Sequence, residues 1–239
     1  MASVSVKTYS SSNKTTNYAR LCRLLVDVGS RALRDAFDKI HPPASLHDML
    51  SKRSVRASLE ELYKGKHKSL NRTQWIKLFP SRPSSVSSRD FDVTLLMVLL
   101  RKISGLTPPA TGWENPPPAT DTSTEADIIR VIVFRDQIYG HASKGYVDEH
   151  TFSEYWYDIQ HALIRLGGER YGPEIDKLKI DCMDPDIEVH YRELLKRWIE
   201  DDGKIDQIEG RILPKQYLDR SAFLRLYHRP QEACHVQAM

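Results

Sequence analysis

The sequence predicts an all-α fold, a four-helix bundle with additional short helices, on three observations. Apolar residues recur at three- and four-residue spacing over long stretches, which is the pattern of amphipathic helices. Several of these stretches begin with a Ser or Thr followed three residues later by Glu, a pattern typical of helix starts. No stretch alternates apolar and polar residues as a half-buried strand does. The long helices are expected at about 16–40, 89–104, 123–139 and 150–166.

The first long helix is predicted to run from Thr16 to Ile40, because apolar residues mark one face over that whole stretch. The prolines that follow it at 42 and 43 stop it, since proline has no backbone N–H and clashes with the preceding turn. Three short helices are expected next, each with its own start and stop signal: 46–52 after Ser45, a helix opened by the Ser58–Glu61 capping box and ended by Gly65, and 72–79 after Asn71.

The other three long helices each have a predicted cap. Ser87 and Asp90 precede the apolar helix 91–104, whose sides are nearly all apolar, as in the buried centre of a bundle. Two capping boxes, Thr122–Glu125 and Thr151–Glu154, are expected to open the remaining two. Gly140 is expected to end the third helix in the left-handed conformation that glycine tolerates.

The remaining segments set the expected domain organisation. The proline-rich stretch 107–120 is predicted to be a loop, pinned to the bundle by Trp113. Short helices are expected at 172–182 and, from the Asp184–Pro185 start, at 186–201. The prediction is thus a tail at 1–14, one domain at 15–202 and an extension at 203–239.

Composition restricts the class of protein. Hydrophobic residues make up 40% and charged residues 28% of 239 residues, as in ordinary globular domains. The net charge of +3 is compatible with a nucleic-acid partner and does not require one. Three scattered cysteines form no zinc or disulfide pattern, and no apolar run is long enough to span a bilayer. The expectation is a cytoplasmic protein with no membrane contact.

The stretch Arg135–His141, at the end of the third long helix, concentrates chemically useful side chains. Arg135 is permanently charged and suited to binding phosphate, and His141 can exchange protons near neutral pH. Together they suit cleavage of RNA, whose own 2′-hydroxyl can serve as the nucleophile. The plainer alternative is that both residues only stabilise a helix end, with Arg135 paired to Asp136 or Glu125.

Other sites find less support in the sequence. The histidines are too scattered to predict a metal site, so no metal and no cofactor are expected. Phosphate-binding glycine loops, zinc-protease motifs and serine-hydrolase motifs are absent from the sequence. A basic cluster around 64–72 is interpreted either as a solvated loop or as a contact to an RNA backbone.

The spacing Arg135-Asp136-x3-Gly140-His141 resembles the R-x4-6-H signature of the HEPN superfamily. More specific likenesses surround it: the stretches 19–26, 106–113, 139–143, 162–168 and 182–186 resemble the HEPN domain of the DAZ-interacting zinc-finger type RNA-binding ubiquitin ligases, and similar domains occur in animal immune-receptor-like proteins. The resemblance covers about residues 15 to 200.

This resemblance implies a function and its residues. Active members are metal-independent endoribonucleases that dimerise so that two motifs face one RNA cleft. Carried over by position, Arg135 binds the scissile phosphate, His141 is the general base or acid, and Asp136 orients Arg135 or His141. Further RNA contacts are expected from one aromatic and four basic residues: Tyr139, Lys144, Arg130, Lys66 and Lys68.

Two alternatives stay open. The chain can instead be a non-catalytic RNA-binding or dimerisation module, an adaptor in innate-immune or ubiquitin-ligase signalling. It can also be a structural domain whose motif only caps a helix. The expected partners are single-stranded RNA, a second copy of the chain, and proteins of a signalling pathway.

Overall fold

The computed structural model describes residues 13–65, 69–113, 115–141 and 145–209, and it confirms the all-α prediction. Over these ranges the chain forms helices and no strand. The first helical run joins α1 (Asn13–Arg23), a π-helical segment (Leu24–Gly29) and α2 (Ser30–Ile40) without interruption. The long first helix was therefore predicted correctly, although it begins three residues earlier than expected.

The short helices after α2 differ in part from the prediction. They are α3 (Leu46–Ser51), α4 (Arg53–Lys64) and α5 (Arg72–Leu78). Asn71 caps α5 as predicted, because its side chain accepts the backbone N–H of Gln74 at 2.9 Å and the Gln74 side chain accepts that of Asn71.

The predicted start of α4 was wrong. Ser58 lies inside the helix, and its hydroxyl donates back to the Ser54 carbonyl at 3.1 Å, a bond that serine makes readily within helices. Ser45 likewise does not cap α3, since its hydroxyl donates to the Pro42 carbonyl instead.

The central helix α6 spans Val93–Lys102, and its cap is Asp92 rather than the predicted Ser87–Asp90 pair. The Asp92 carboxylate accepts the backbone N–H of Leu95 at 2.8 Å. Ser87 instead caps the start of a separate 3-10 turn at Ser88–Asp90. The predicted anchoring of the following loop is confirmed. Trp113 packs against the core, and the guanidinium carbon of Arg101 lies 5.9 Å from the centre of its ring.

The next two helices pack against each other most extensively in the molecule. They are α7 (Thr124–Gly140), capped by Ser123, and α8 (Glu149–Gly167), capped by Asp148. The prediction had α8 begin after Thr151, which is three residues late. Thr151 lies in the first turn, where its backbone N–H and hydroxyl both donate to the Asp148 carboxylate, at 3.0 and 2.9 Å.

The last elements are α9 (Gly172–Ile180) and α10 (Pro185–Glu209). Asp184 opens α10 as predicted, since its carboxylate accepts the backbone N–H groups of Asp186 and Ile187. The helix then extends beyond its predicted end at 201. It lies against α1, α6 and α7, and this position decides the environment of the candidate site.

The core fills the space between α1, α2, α6, α7 and α8. Its largest fully buried side chains come from four of these helices and from the turn before α6: Trp156, Tyr18, Phe37, Phe91 and Phe134. Within the part of the chain that the structure describes, no helix is both long and apolar enough to cross a membrane.

Candidate functional site

The Arg135–His141 stretch lies where α7 ends, as predicted, but the helix ends differently. Gly140 is the last helical residue, and positive φ angles occur at other glycines, of which the next along the chain is Gly145 (φ 66°). The prediction of a left-handed Gly140 was therefore wrong. His141 closes the helix instead: its backbone stays in the right-handed helical region (φ −83°, ψ −4°) and its N–H donates to the Ile138 carbonyl at 3.0 Å.

Arg135 is buried, with only 2% of its surface exposed. Its Nε donates to an Asp136 carboxylate oxygen at 2.8 Å, and one terminal nitrogen lies 2.7 Å from the same oxygen. Two contacts to one carboxylate fix the plane of the guanidinium. Asp136 therefore orients Arg135, a pairing that fits both the predicted site and the alternative in which Arg135 only stabilises a helix end.

Trp198 of α10 covers Arg135 from the other side. The guanidinium carbon lies 5.3 Å from the centre of the indole ring, within the range of a cation–π interaction. Trp198 is itself buried, and its indole N–H has no acceptor among the residues that the structure describes. In this conformation α10 separates Arg135 from solvent.

His141 lies half-buried beyond the end of α7 and meets a different neighbour. Its ring lies edge-on to Tyr155 of α8, with centroids 6.3 Å apart and an angle of 68° between the planes. Tyr155 also packs against Phe134, which ties the imidazole to the core between α7 and α8. Since the helix continues through Gly140, no break returns His141 toward Arg135; on a helix, residues six apart point about 240° away from each other.

Tyr139 is half-buried. Burial raises the pKa of Tyr18, and the nearby Cys22 and Tyr139 add to this effect. Tyr139 therefore lies near the buried Tyr18–Cys22 pair of α1 and is not fully presented to solvent. A contact between Tyr139 and RNA stays a prediction.

Arg130 is buried and bonded to other parts of the protein, whereas a contact with RNA requires an exposed side chain. Its guanidinium donates to the fully buried Asp127 carboxylate at 2.7 Å and to the Pro118 carbonyl at 2.6 Å. Arg165 of α8 adds two further bonds to Asp127, at 2.8 and 2.7 Å. This Asp127 cluster joins α7, α8 and the proline-rich loop, and it leaves Arg130 only 4% exposed.

The remaining predicted RNA contacts, Lys144, Lys66 and Lys68, lie outside the described residues. Across the described ranges, no group of three or more His, Cys, Asp or Glu side chains is placed to hold a metal ion. The chemistry that the described site offers is thus a guanidinium oriented by a carboxylate and a half-buried imidazole.

Sequence patterns did not reveal two contributors to this site, Trp198 and Tyr155. Each lies at an apolar position of its helix, but the contacts with Arg135 and His141 depend on how α8 and α10 pack against α7. The signal for Asp127 was its position on the buried face of the helix, where a carboxylate requires a cationic partner.

Comparisons with known proteins agree with the resemblance. A family model described as DZIP3/hRUL138-like HEPN matches residues 43–191, which is more than half of the chain. The E3 ubiquitin-protein ligases DZIP3 of Mus musculus and Homo sapiens are each 28% identical over 181 residues, or 74% of this chain. The chain spans only 14% of the length of those relatives. No solved structure matches it.

Proposed function

Since the chain belongs to the DZIP3/hRUL138-like HEPN family, we propose that it supplies one half-site of a dimeric, metal-independent endoribonuclease. Arg135 binds the scissile phosphate, and Asp136 holds its guanidinium in place. His141 takes the proton from the 2′-hydroxyl of the RNA, or returns a proton to the leaving oxygen. The 2′-oxygen attacks the phosphorus and the bond to the 5′-oxygen breaks, which leaves a 2′,3′-cyclic phosphate and a 5′-hydroxyl.

A second copy of the chain is part of this proposal. The reaction needs a base for the 2′-hydroxyl and an acid for the leaving 5′-oxygen at about the same time. One motif contains one imidazole, His141. Two motifs that face each other provide one imidazole for each role and two guanidinium groups for the phosphate charge.

The observation that carries the proposal is the state of Arg135. The guanidinium is already oriented by Asp136, at 2.7–2.8 Å, yet it is covered by Trp198. We infer that the described form is closed and that cleavage requires α10 to move away from Arg135.

Two local contributions at Trp198 are of similar size and opposite sign. A partly desolvated cation–π contact is worth about 0.5–2 kcal/mol. Against it, a buried N–H without an acceptor, such as that of Trp198, costs about 1–3 kcal/mol. These two contributions nearly cancel, so α10 is held mainly by its apolar packing against α1, α6 and α7, and binding of RNA or of a partner has to offset that packing.

The burial of Arg135 also favours a second candidate function. A guanidinium that is 2% exposed serves the packing of α7 against α10 well, and a non-catalytic RNA-binding, dimerisation or adaptor module needs no exposed Arg135. Its place in innate-immune or ubiquitin-ligase signalling is then a proposal as well. The relatives are named as ubiquitin ligases, and that name describes those longer proteins.

Cleavage of a labelled single-stranded RNA in the presence of EDTA separates the two candidates. We expect the unmodified chain to release fragments with 2′,3′-cyclic phosphate ends, Trp198→Leu to release them faster, and His141→Ala to release none. The control is His150→Ala, because the His150 side chain is exposed on α8 with its ring 3.2 Å from Glu154.

Light scattering on the same samples measures whether the chain dimerises. Dimers or RNA complexes that form equally in His141→Ala, with no cyclic-phosphate product from any sample, would establish the non-catalytic alternative. Cleavage by a strictly monomeric chain would instead contradict the half-site.

A further inference from the structure

A row of stacked side chains joins α4 to α5, away from the Arg135–His141 motif in sequence. The Tyr63 ring stacks on Trp75 with centroids 4.7 Å apart and an angle of 10° between planes. Trp75 contacts Phe79 at 4.5 Å, and the guanidinium carbon of Arg56 lies 5.0 Å from the centre of the Phe79 ring. We call Tyr63, Trp75, Phe79 and Arg56 the aromatic ladder.

The aromatic ladder lies at the surface in part. Its three rings are half-buried at the edge of the core, and the Arg56 side chain is 54% exposed. A guanidinium that rests on one ring keeps its opposite face available for another planar group. Ile76, next to Trp75 in α5, is exposed as well.

Positive charge is concentrated on these two helices and on the residues next to them. Residues 52–65 and 69–82 contain seven lysines and arginines against two glutamates, a net charge of +5, whereas the whole chain carries +3. The other described residues contain 19 lysines and arginines against 27 aspartates and glutamates, so they do not share this excess.

Helical spacing places some of these cations beside the aromatic ladder. Arg53 lies three residues before Arg56 on α4, and Arg72 lies three residues before Trp75 on α5. Residues three apart share a helix face. Arg53 and Arg72 are exposed and form no ion pair within the described ranges.

We propose that this face of α4 and α5 binds single-stranded RNA, with Arg53 and Arg72 on phosphates and with Arg56 and Tyr63 at the ends of the aromatic ladder against bases. Cations recognise any polyanion, but half-exposed stacked rings next to them suit unpaired bases, whose faces are accessible. A duplex hides its base faces, and an acidic peptide or an anionic membrane has none. The proposal concerns binding alone and does not depend on cleavage by the Arg135–His141 motif.

The test uses fluorescence anisotropy with the full chain and a labelled single-stranded 2′-O-methyl RNA of about 16 nucleotides, which cannot form a cyclic phosphate. The first variant is the double substitution Arg53→Glu/Arg72→Glu. Both positions are the first residues of their helices, where a carboxylate complements the helix dipole, so the fold is preserved. The matched control is Lys177→Glu/Lys179→Glu, which makes the same charge change on exposed positions of α9.

We expect Arg53→Glu/Arg72→Glu to weaken binding by roughly tenfold or more and to flatten the dependence of log affinity on log salt by about 1.4, as for two lost phosphate contacts. The control pair is expected to change the affinity by less than about twofold at moderate salt, where distant charges are screened. Tyr63→Leu is expected to weaken binding about fivefold with little change in the salt dependence, because a stacking contact is lost.

Several results would overturn the proposal. One is an equal loss of RNA affinity in the two charge-reversed pairs, and another is no binding by the unmodified chain. A third is binding of an RNA duplex, a polyglutamate peptide or phosphatidylserine vesicles that is as tight as binding of the single strand. Thermal unfolding of every variant confirms that losses arise from folded protein.

Discussion

The guanidinium carbon of Arg135 lies 5.3 Å from the centre of the Trp198 ring, so the arginine of the motif is buried beneath a helix that begins fifty residues later in the chain. The same arginine is oriented by its neighbour Asp136. The oriented arginine and the side chain that covers it thus occur in one chain. Whether α10 acts as a gate or as a permanent part of the core is the question that separates the two candidate functions.

Trp198→Leu is expected to expose Arg135 while keeping an apolar side chain on α10. The loss of ring volume and of the cation–π contact should lower the free energy of unfolding by about 1–3 kcal/mol. The direct measurement is the rate at which phenylglyoxal modifies Arg135, followed by mass spectrometry, which should rise several-fold.

Trp156→Leu is the control for this prediction, because Trp156 is a fully buried indole in α8, also with no acceptor for its N–H among the described residues. It should destabilise the chain to a similar degree and leave the modification rate of Arg135 in the folded protein unchanged. An unchanged rate in Trp198→Leu would mean that Trp198 does not cover Arg135 in solution.

Asp127→Asn is expected to be among the most destabilising polar substitutions in the chain. Asp127 is fully buried and accepts three bonds from Arg130 and Arg165. Its neutralisation leaves the buried Arg130 without its counter-charge, which typically costs about 3–5 kcal/mol. Chemical denaturation measures the loss.

Arg165→Gln provides the comparison, since this side chain is 35% exposed and its loss still leaves the Asp127–Arg130 pair. We expect a smaller cost, about 1–2 kcal/mol. If both substitutions cost the same, the Asp127 cluster does not behave as a buried charge with one essential partner.

The sequence predicted where the helices lie more accurately than the residues at which they begin. Apolar spacing located α7 and α8 because burial of one face repeats along the whole helix. A capping box depends on one hydrogen bond, and Ser58 and Thr151 matched the pattern while lying inside helices. Their hydroxyls bond to groups three or four residues earlier, which satisfies the same chemistry without a helix start.

The residues of the candidate site could be predicted from the sequence, but their burial and their contacts with other helices could not. The pairing of Arg135 with Asp136 is local and follows from their adjacency. The burial of Arg135 depends on Trp198, and that contact results from the packing of α10 against α7. The spacing of apolar residues along either helix does not predict this packing. The Asp127 cluster shows the same limit, because Arg130 reaches Asp127 within α7 whereas Arg165, which binds the same carboxylate, lies on α8.

The free energy of unfolding is expected to decrease as the pH is lowered, because of the protonation of His41. Burial lowers the pKa of His41, and the positive charge of Lys52 lowers it further. As the pH falls below about 6.5, the unfolded chain binds a proton at this position before the folded chain does. The free energy of unfolding therefore decreases, and this decrease stops once the pH is below the pKa of the folded state.

The measurement for His41 compares the unmodified chain with His41→Gln by denaturation between neutral and mildly acidic pH. The His41 ring lies 3.1 Å from the Ser104 hydroxyl, and glutamine retains a polar group there that does not titrate. The difference in the free energy of unfolding between the two proteins should be constant above neutral pH. On acidification the unmodified chain should lose stability relative to His41→Gln. A difference independent of pH would show that His41 titrates normally.

Two glycine-to-alanine substitutions are expected to have opposite signs. A Cβ atom on Gly167 would lie 2.1 Å from the ring of Tyr171, which is buried and donates its hydroxyl hydrogen to Asp35. The ring must move from this bond, so Gly167→Ala should cost about 1–3 kcal/mol.

Gly29 lies within a helical run at φ −58° and ψ −45°, and the nearest atom to an added Cβ is 3.8 Å away, on Leu163. Gly29→Ala should therefore stabilise the chain by up to about 1 kcal/mol, because alanine loses less backbone freedom on folding. Urea denaturation of both variants tests this contrast. A loss in Gly29→Ala would show that the π-helical segment needs glycine for a reason other than space, and an unchanged Gly167→Ala would mean that Tyr171 can leave Asp35 at little cost.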